Sequence, residues 1–491
     1  MKENVTRLDA EGNEWDFEKL RLIDEAVGKI AREDFRLDTY PNQIEVISSE
    51  QMLDAYSSVA MPIMYPHWSF GKDFARNQYL YEKGQQGLAY EVVINSDPCI
   101  SYLMEENSLT MQTLVIAHAC YGHNSFFKGN YLFRQWTRAD AIVDYLLFAK
   151  NFVRECEERY GHTAVEEILD AAHALQTLGV DRYKRRAPEN AAKAEAKRQE
   201  LEEAKRLLYD DLMSRTSAFA AAAHERRNDN FPPEPEENLL YFIEKHAPKL
   251  KEWERELVRI VRKVAQYFYP QSQTKVMNEG WASFWHYTLC NRLYDKGLVG
   301  DGFMLEFLTS HTNVVFQPPP RNGQYRQLNP YALGFAMFSD IRRMCENPTE
   351  EDYRWFPDIA GSEDWISVLD YAMRNFKDES FIRQYLSPRV IRDFKLFAIS
   401  DNRKNSSLVI DSIHNEEGYA RVRTLLANQY SRENTVPDIQ VSSFARMTDR
   451  SLTLTHFERG GRPLDASMRD RTTAHVERLW GFPVKIEVAA V

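Results

Sequence analysis

The chain has 491 residues, of which 43% are hydrophobic, 27% charged and 12% aromatic. This length allows about three domains and this composition is that of a folded protein, so a disulfide-stabilised miniprotein and a wholly disordered chain are excluded. The formal charge is −11, and the acidic residues are spread along the chain, which argues against a nucleic-acid-binding surface as the main function.

The sequence favours a cytoplasmic protein. The first twenty residues contain no apolar segment typical of a signal peptide, and no stretch approaches the roughly 18 uncharged apolar residues of a membrane span. The five cysteines form no CxxC pair, which fits reduced thiols and predicts no zinc ribbon.

Hydrophobic periodicity predicts a mostly helical first half built around a small sheet. Residues 15–35 have the apolar spacing of an amphipathic helix, with Phe17 in its apolar stripe. Residues 42–47 and 88–95 are strand-like, and Asp97-Pro98 is expected to start the next helix. Helices then follow through residue 178, including the apolar run 111–123.

The remaining chain divides into three parts. Residues 184–237 are rich in Ala, Glu and Lys and then in Pro, which predicts an exposed helical insertion and linker after an N-terminal part at 1–183. Helices at 238–387 complete the helical core. The order ββαββαβ over 388–491 predicts a small α+β domain with an antiparallel sheet. The predicted fold class is therefore α+β, with a mainly helical N-terminal domain and a small C-terminal domain.

Two histidines stand out in the run 111–123. On a regular helix the five residues from His118 to His123 subtend about 500°, so the two rings would point about 140° apart. They can share a metal ion only if the helix is widened or broken near Gly122. The alternative is one buried and one capping histidine.

Residues 278–282, Asn-Glu-Gly-Trp-Ala, resemble the helix that supplies the glutamate ligand of zinc in gluzincin metallopeptidases. The resemblance implies a gluzincin-like core in which Glu279 joins His118 and His123 around one divalent ion, with zinc as the first choice. The HExxH glutamate, which acts as the general base in those peptidases, is replaced by Ala119. An active hydrolase with a base from elsewhere, a binding site without turnover and a relic therefore all stay open.

Further polar residues are candidates for lesser roles. Tyr121, His286 and His311 are candidate proton carriers, although His286 lies about 10.5 Å along the helix from Glu279 and is a poor ligand for the same ion. Tyr325 and Tyr331 are candidate hydrogen-bond donors.

A second set of polar residues has metal-ligand chemistry. Glu166, Asp170 and His173 share one helix face, and His162 is nearly in phase with them. This face is either solvated or a second metal site.

Several longer segments together resemble the SpoVR family over nearly the whole chain. They are listed here as they stand in the sequence: YPNQIEVISSEQM, INSDPCISYLMEEN, IAHACYGHNSFFKGN, GVDRYKRR, MNEGWASFWHY and LNPYALGFAMF.

The resemblance implies a process rather than a reaction. It implies a role in sporulation through formation of the spore cortex, or in stress response and cell-envelope regulation in bacteria that form no spores. It also implies a PrkA-type serine protein kinase and a von Willebrand factor A-like protein as partners. Two hypotheses follow, a metal-dependent hydrolase-like protein lacking the HExxH glutamate and a non-catalytic adaptor for those partners.

Overall fold

The computed structural model describes residues 7–10, 12–57, 61, 63–68, 91–181, 232, 234–319, 328–396, 399–400, 409–410, 415–445, 448–459 and 463–490. Most of the predicted insertion at 184–237, and Tyr325, lie outside the described residues.

The described chain is mostly helical, with two three-stranded sheets and one two-stranded sheet. The helices are α1 (Phe17–Glu33), α2 (Ser49–Ser57), α3 (Leu109–Val115), a π-helix (Ile116–His123), α4 (Asn124–Gly129), α5 (Tyr131–Trp136), α6 (Ile142–Tyr160), α7 (His162–Ala174), a 3₁₀ turn (Gln176–Leu178), α8 (Leu239–His246), α9 (Glu252–Gln273), α10 (Lys275–Asp295), α11 (Asp301–Val314), α12 (Pro330–Glu346), α13 (Glu350–Trp355), α14 (Trp365–Asn375), α15 (Asp378–Tyr385), α16 (Pro388–Asp393), α17 (Glu416–Gln429), α18 (Arg432–Thr435) and α19 (Ala466–Trp480). The strands are β1 (Asn42–Ile47), β2 (Glu91–Ile94), β3 (Cys99–Met104), β4 (Ile399–Ser400), β5 (Val409–Ile410), β6 (Ile439–Phe444), β7 (Leu452–Glu458) and β8 (Val484–Ala490). The predicted α+β class is confirmed, whereas the gluzincin-like core and the boundaries at 183, 237 and 387 stay predictions.

The chain forms two compact units, residues 1–152 with 269–435 and residues 153–268 with 436–491. The first unit contains a sheet of order β1-β3-β2, in which β1 runs parallel and β2 antiparallel to β3. The prediction that Asp97-Pro98 starts a helix is wrong, because β3 follows at Cys99. Strand β3 is the central strand, and most of its residues are buried. Its sequence therefore lacks the alternation of apolar and polar residues that would identify a strand.

Glycines set the spacing of the helices behind this sheet. A Cβ on Gly122 of the π-helix would lie 2.6 Å from the Cα of Ala282 in α10. A Cβ on Gly334 of α12 would lie 2.6 Å from the Cα of Gly280, on α10. Since real Cβ atoms do not approach backbone so closely, α10 packs against both helices at a distance that only glycine permits.

Helix α10 receives its N-terminal cap from a distant residue. Its own preceding residue, Thr274, makes no side-chain cap. Instead, the carboxylate of buried Asp378 accepts hydrogen bonds from the backbone N–H groups of Val276 and Met277, both at 2.9 Å. This contact satisfies backbone donors that a helix start leaves unpaired.

The second unit contains the sheet β6-β7-β8, with α7 packed against α19. The prediction of an antiparallel sheet holds for β6 and β7 and is wrong for β8, which runs parallel to β7. Helix α19 lies between β7 and β8 in the chain and provides the crossover that parallel pairing requires. Strands β4 and β5 belong to the first unit and, within the described part of the chain, pair with each other alone.

Candidate metal centre

The two histidines predicted as ligands lie on a π-helix. The N–H of Asn124 donates to the carbonyl of Ala119, five residues earlier. In this geometry residues five apart stack above one another, which brings the rings of His118 and His123 to a centroid distance of 4.6 Å. The widening that a shared ion requires is therefore present next to Gly122.

Glu279 completes a cluster of three potential ligands. Its carboxylate oxygen Oε2 lies 3.6 Å from Nε2 of His123. One ligand atom from each of His118, His123 and Glu279 falls within 4.8 Å of the other two. Among the described residues no other set of three or more His, Cys, Asp or Glu side chains meets in this way.

The donor chemistry of this cluster fits a divalent cation. Oε2 of Glu279 is buried and has no hydrogen-bond partner among the described residues. Burying a carboxylate oxygen costs free energy unless a hydrogen-bond donor or a cation binds it. Two imidazole nitrogens and one carboxylate are a ligand set that catalytic zinc sites use.

The proton of His123 is positioned by α10. Its Nδ1 lies 3.0 Å from Oδ1 of Asn278, and an amide oxygen can only accept a hydrogen bond. Nδ1 therefore donates to Asn278, and Nε2 lies on the side of Glu279. Adjacent residues of α10 thus supply a candidate ligand, Glu279, and the group that orients a second candidate, His123.

His118 begins a chain of three buried histidines. Its Nδ1 lies 2.9 Å from Nδ1 of His286, whose Nε2 lies 2.7 Å from Nδ1 of His311. Burial, with repulsion from neighbouring histidines, holds the pKa values of His118 and His286 well below their usual range. Burial lowers the pKa of His311 to about 4. All three rings are therefore neutral at pH 7, the form in which imidazole binds metals.

Sequence reasoning missed one acidic residue at this site. Glu91, the first residue of β2, places Oε1 at 3.7 Å from Nε2 of His118. Burial and the negative charge of Glu279 raise the pKa of Glu91 to about 8. A single charged residue in the apolar run Leu88–Asn95 was the only signal in the sequence.

The two candidate tyrosines that the structure describes lie in different places. The hydroxyl of Tyr121 is 2.7 Å from Oδ1 of Asp24, so its phenol is engaged by α1. The ring of Tyr331 stacks on His118 at a centroid distance of 6.3 Å. Tyr331 is thus at the cluster, whereas the Tyr121 hydroxyl bonds to α1.

The second predicted set does not converge. Glu166, Asp170 and His173 are partly buried along α7, and they are absent from the described groups that could hold an ion. Glu166 instead lies 3.2 Å from the exposed ring of His162. The α7 residues therefore form a partly solvated polar face.

Among the described helices, none combines the length and the apolarity that crossing a membrane requires.

Comparison with known proteins gives a consistent assignment. The family model "SpoVR like protein" matches residues 14–435, and the model "SpoVR-like C-terminal domain" matches residues 437–490. The chain is similar to the "Uncharacterized protein YcgB" of Escherichia coli (strain K12), with 57% identity over 491 residues, covering 99% of this chain and 95% of the relative. No solved structure matches the chain. The sequence motifs, both family models and this relative agree, and the chain belongs to the SpoVR family.

Proposed function

We propose that this SpoVR-family protein is a metal-dependent, hydrolase-like protein in which His118, His123 and Glu279 hold one divalent ion, zinc before others. The observation that carries the proposal is the convergence of three ligand atoms within 4.8 Å, produced by a π-helix and a glycine-packed helix. The buried, unpartnered oxygen of Glu279 supports it independently.

The side chains around the cluster have distinct roles in this proposal. When bound, the ion supplies Lewis acidity, which polarises a carbonyl or lowers the pKa of water. Asn278 and His286 fix the ring orientations of His123 and His118 through Nδ1. Since Ala119 stands where HExxH peptidases have their general base, proton transfer falls to another group, with His286 and His311 as candidates, whereas the hydroxyl of Tyr121 is engaged by Asp24 of α1.

The metal content of untagged protein tests the proposal. We expect wild type to carry close to one equivalent of metal by inductively coupled plasma mass spectrometry, and His123→Ala and Glu279→Ala to lose it while circular dichroism stays unchanged. His162→Ala and Glu166→Ala are matched controls on α7, and both should keep the metal. Folded wild type that contains no metal and binds none on titration would contradict the proposal.

A second candidate function, the adaptor, is favoured by a different observation. Residues 153–268 and 436–491 form their own compact unit, and a separate family model covers 437–490. We propose this unit as the docking part for a PrkA-type serine protein kinase and a von Willebrand factor A-like protein in the cytoplasm. The physiological setting would be sporulation and cortex formation, or stress and cell-envelope regulation.

The adaptor is tested by affinity capture with the full chain. Wild type should retain both partners whether or not it has been stripped of metal, because the proposed docking part lies outside the metal centre. Capture of neither partner by folded wild type would contradict this role.

A further inference from the structure

Strand β8 forms an unprotected edge of the sheet in the second unit. In the order β6-β7-β8, β7 lies in the centre, and within the described chain β8 pairs with β7 alone. The opposite edge is partly covered, because Val441 of β6 exchanges two backbone hydrogen bonds with Glu236, at 2.8 and 2.9 Å. The free edge of a strand presents N–H and C=O groups to which another strand can bind.

The hydrogen bonds to β7 show which backbone groups of β8 point outward. The N–H of Leu452 in β7 donates to the carbonyl of Pro483 at 3.0 Å. In a parallel ladder, every second residue from Pro483 onward therefore bonds to β7, and the residues between them face away from it. The N–H of Val484 accordingly donates to the carboxylate of Glu477, at 2.9 Å, and not to β7. The backbone groups of Ile486, two residues further along, face the open edge.

The side chains of β8 are arranged symmetrically about its centre. The five residues from Val484 to Val488 read VKIEV, with opposite charges on either side of Ile486. The three apolar residues share one face of the sheet, and Lys485 and Glu487 share the other. The two charged side chains are 62% and 56% exposed, and their atoms Nζ and Oε1 lie 2.7 Å apart. Val488 is apolar and yet 56% exposed.

Antiparallel pairing of two copies of β8 about Ile486 matches these features. The outward N–H and C=O groups of Ile486 then bond to the same groups of the second copy. Lys485 of each copy lies opposite Glu487 of the other, which gives two pairs of opposite charge. On the other face, Val488 of each copy lies opposite Val484 of the other, so the exposed apolar side chain is covered.

The charges of β8 disfavour the neighbouring registers. A two-fold axis at residue 485 or 487 would also pair outward-facing backbone groups with each other. It would, however, place Lys485 opposite Lys485, or Glu487 opposite Glu487, of the second copy. Like charges directly opposite each other destabilise an antiparallel pair. The charge pattern therefore selects the register centred on Ile486.

We propose that two copies of this chain associate through β8, so that two three-stranded sheets join into one. The two copies would be related by a two-fold axis, which closes the interface and gives a dimer. The inference goes beyond the proposed function and depends neither on the metal nor on the docking of other proteins. Because one pair of strands buries less surface than a standard interface, the dimer should dissociate on dilution.

Sedimentation velocity of the full chain over concentrations of about 1–100 µM tests the proposal. Wild type should change from monomer to dimer as its concentration rises. Lys485→Glu and Glu487→Lys each place like charges opposite each other at two symmetry-related positions, and each should weaken dimerisation by about 5- to 30-fold. Lys150→Glu is the matched control, because Lys150 is an exposed lysine on α6 in the first unit. It should leave dimerisation unchanged.

Two combinations of these substitutions should restore the dimer. The double variant Lys485→Glu/Glu487→Lys exchanges the two charges, so opposite charges face each other again, and it should dimerise within about threefold of wild type. An equimolar mixture of the two single variants should form a heterodimer, since one variant has an acidic and the other a basic β8. If a single variant does not fold by circular dichroism, Lys485→Gln should still weaken dimerisation by about 2- to 5-fold.

Three results would overturn the proposal. The first is wild type that stays monomeric at every concentration. The second is a wild-type dimer that both single variants leave unchanged, which would place the interface elsewhere on the chain. The third is weakening by the single variants without recovery in the double variant, which would exclude this register. The metal proposal would stand in all three cases, because its test is the metal content.

Discussion

The buried histidines form a chain with one consistent arrangement of protons. If Nε2 of His118 binds an ion, its Nδ1 carries the proton and donates to Nδ1 of His286. His286 is then protonated at Nε2, which lies 2.7 Å from Nδ1 of His311. His286 thereby orients the ring of His118, and His311 orients the ring of His286. Residues that surround the ligands act in this way at metal sites.

Burial of His311 predicts a loss of stability in mild acid. Its pKa is lowered to about 4 in the folded protein, against about 6.5 in an unfolded chain. Below pH 6.5 the unfolded chain binds a proton that the folded protein excludes, so stability falls as the pH approaches 4. This one group contributes a loss of up to about 3 kcal/mol over that range. Urea unfolding of the metal-free protein at pH 7 and pH 5, followed by circular dichroism, measures the loss.

The comparison is between two histidine variants. His311→Gln should reduce the difference in urea midpoint between pH 7 and pH 5. His162→Gln, at a position where 68% of the side chain is exposed, should leave that difference as in wild type. An unchanged difference in His311→Gln would show that His311 is not a source of the acid sensitivity.

At the scale of elements, α10 is the helix on which the centre depends. It carries Glu279, Asn278 and His286, it is capped by Asp378, and glycine contacts fix its distance from the π-helix and α12. A change at these contacts therefore moves the candidate ligands as well as the helices.

Gly280→Ala should destabilise the protein and weaken metal binding. The added Cβ would overlap the backbone of Gly334, which cannot yield as a flexible side chain could. Overpacking of this kind costs about 1–3 kcal/mol. The matched control is Gly302→Ala in α11, where a Cβ meets nothing within 4 Å and alanine should add up to about 1 kcal/mol of helix stability. The melting temperatures of both variants, measured by thermal unfolding, test this prediction. Equal melting temperatures would contradict the close packing of α10 against α12.

Much of the helical structure and of the candidate site could be predicted from the sequence. Apolar periodicity located α1 and α10, although Phe17 at the first position of α1 is 74% exposed rather than in the apolar stripe. His118, His123 and Glu279 were predicted as a set because their residue types and a known helix pattern mark them. Glu91 could not be predicted, because a lone glutamate in a strand acquires meaning only when the sheet places it beside the π-helix.

At the scale of the whole molecule, the proposed ligands come from distant parts of the chain. The two histidines of the π-helix and Glu279 all belong to the first compact unit. An ion held by them would link the π-helix to a buried helix, and would bind the folded state alone. Binding would therefore stabilise this unit by mass action.

Zinc should raise the melting temperature of the full chain, and a chelator should lower it. At a free concentration about 100 times the dissociation constant, the expected stabilisation is about 2.7 kcal/mol. Hydrogen exchange followed by mass spectrometry should show slower exchange in the π-helix and α10 and no change in β6, β7 and α19. Uniform slowing in both units, or none in either, would contradict a site built within the first unit.

The π-helix also explains how two histidines with a spacing other than that of HExxH can lie side by side. An α-helix presents histidines four residues apart on one face, whereas this helix achieves the same with five. The π-helical backbone thus accommodates one extra residue in the turn, and the two rings still lie close together. A sequence motif that requires two histidines four residues apart does not match such a pair. A single-codon insertion or deletion within the turn would therefore interconvert the two spacings, provided that the backbone changed between α and π geometry at the same step.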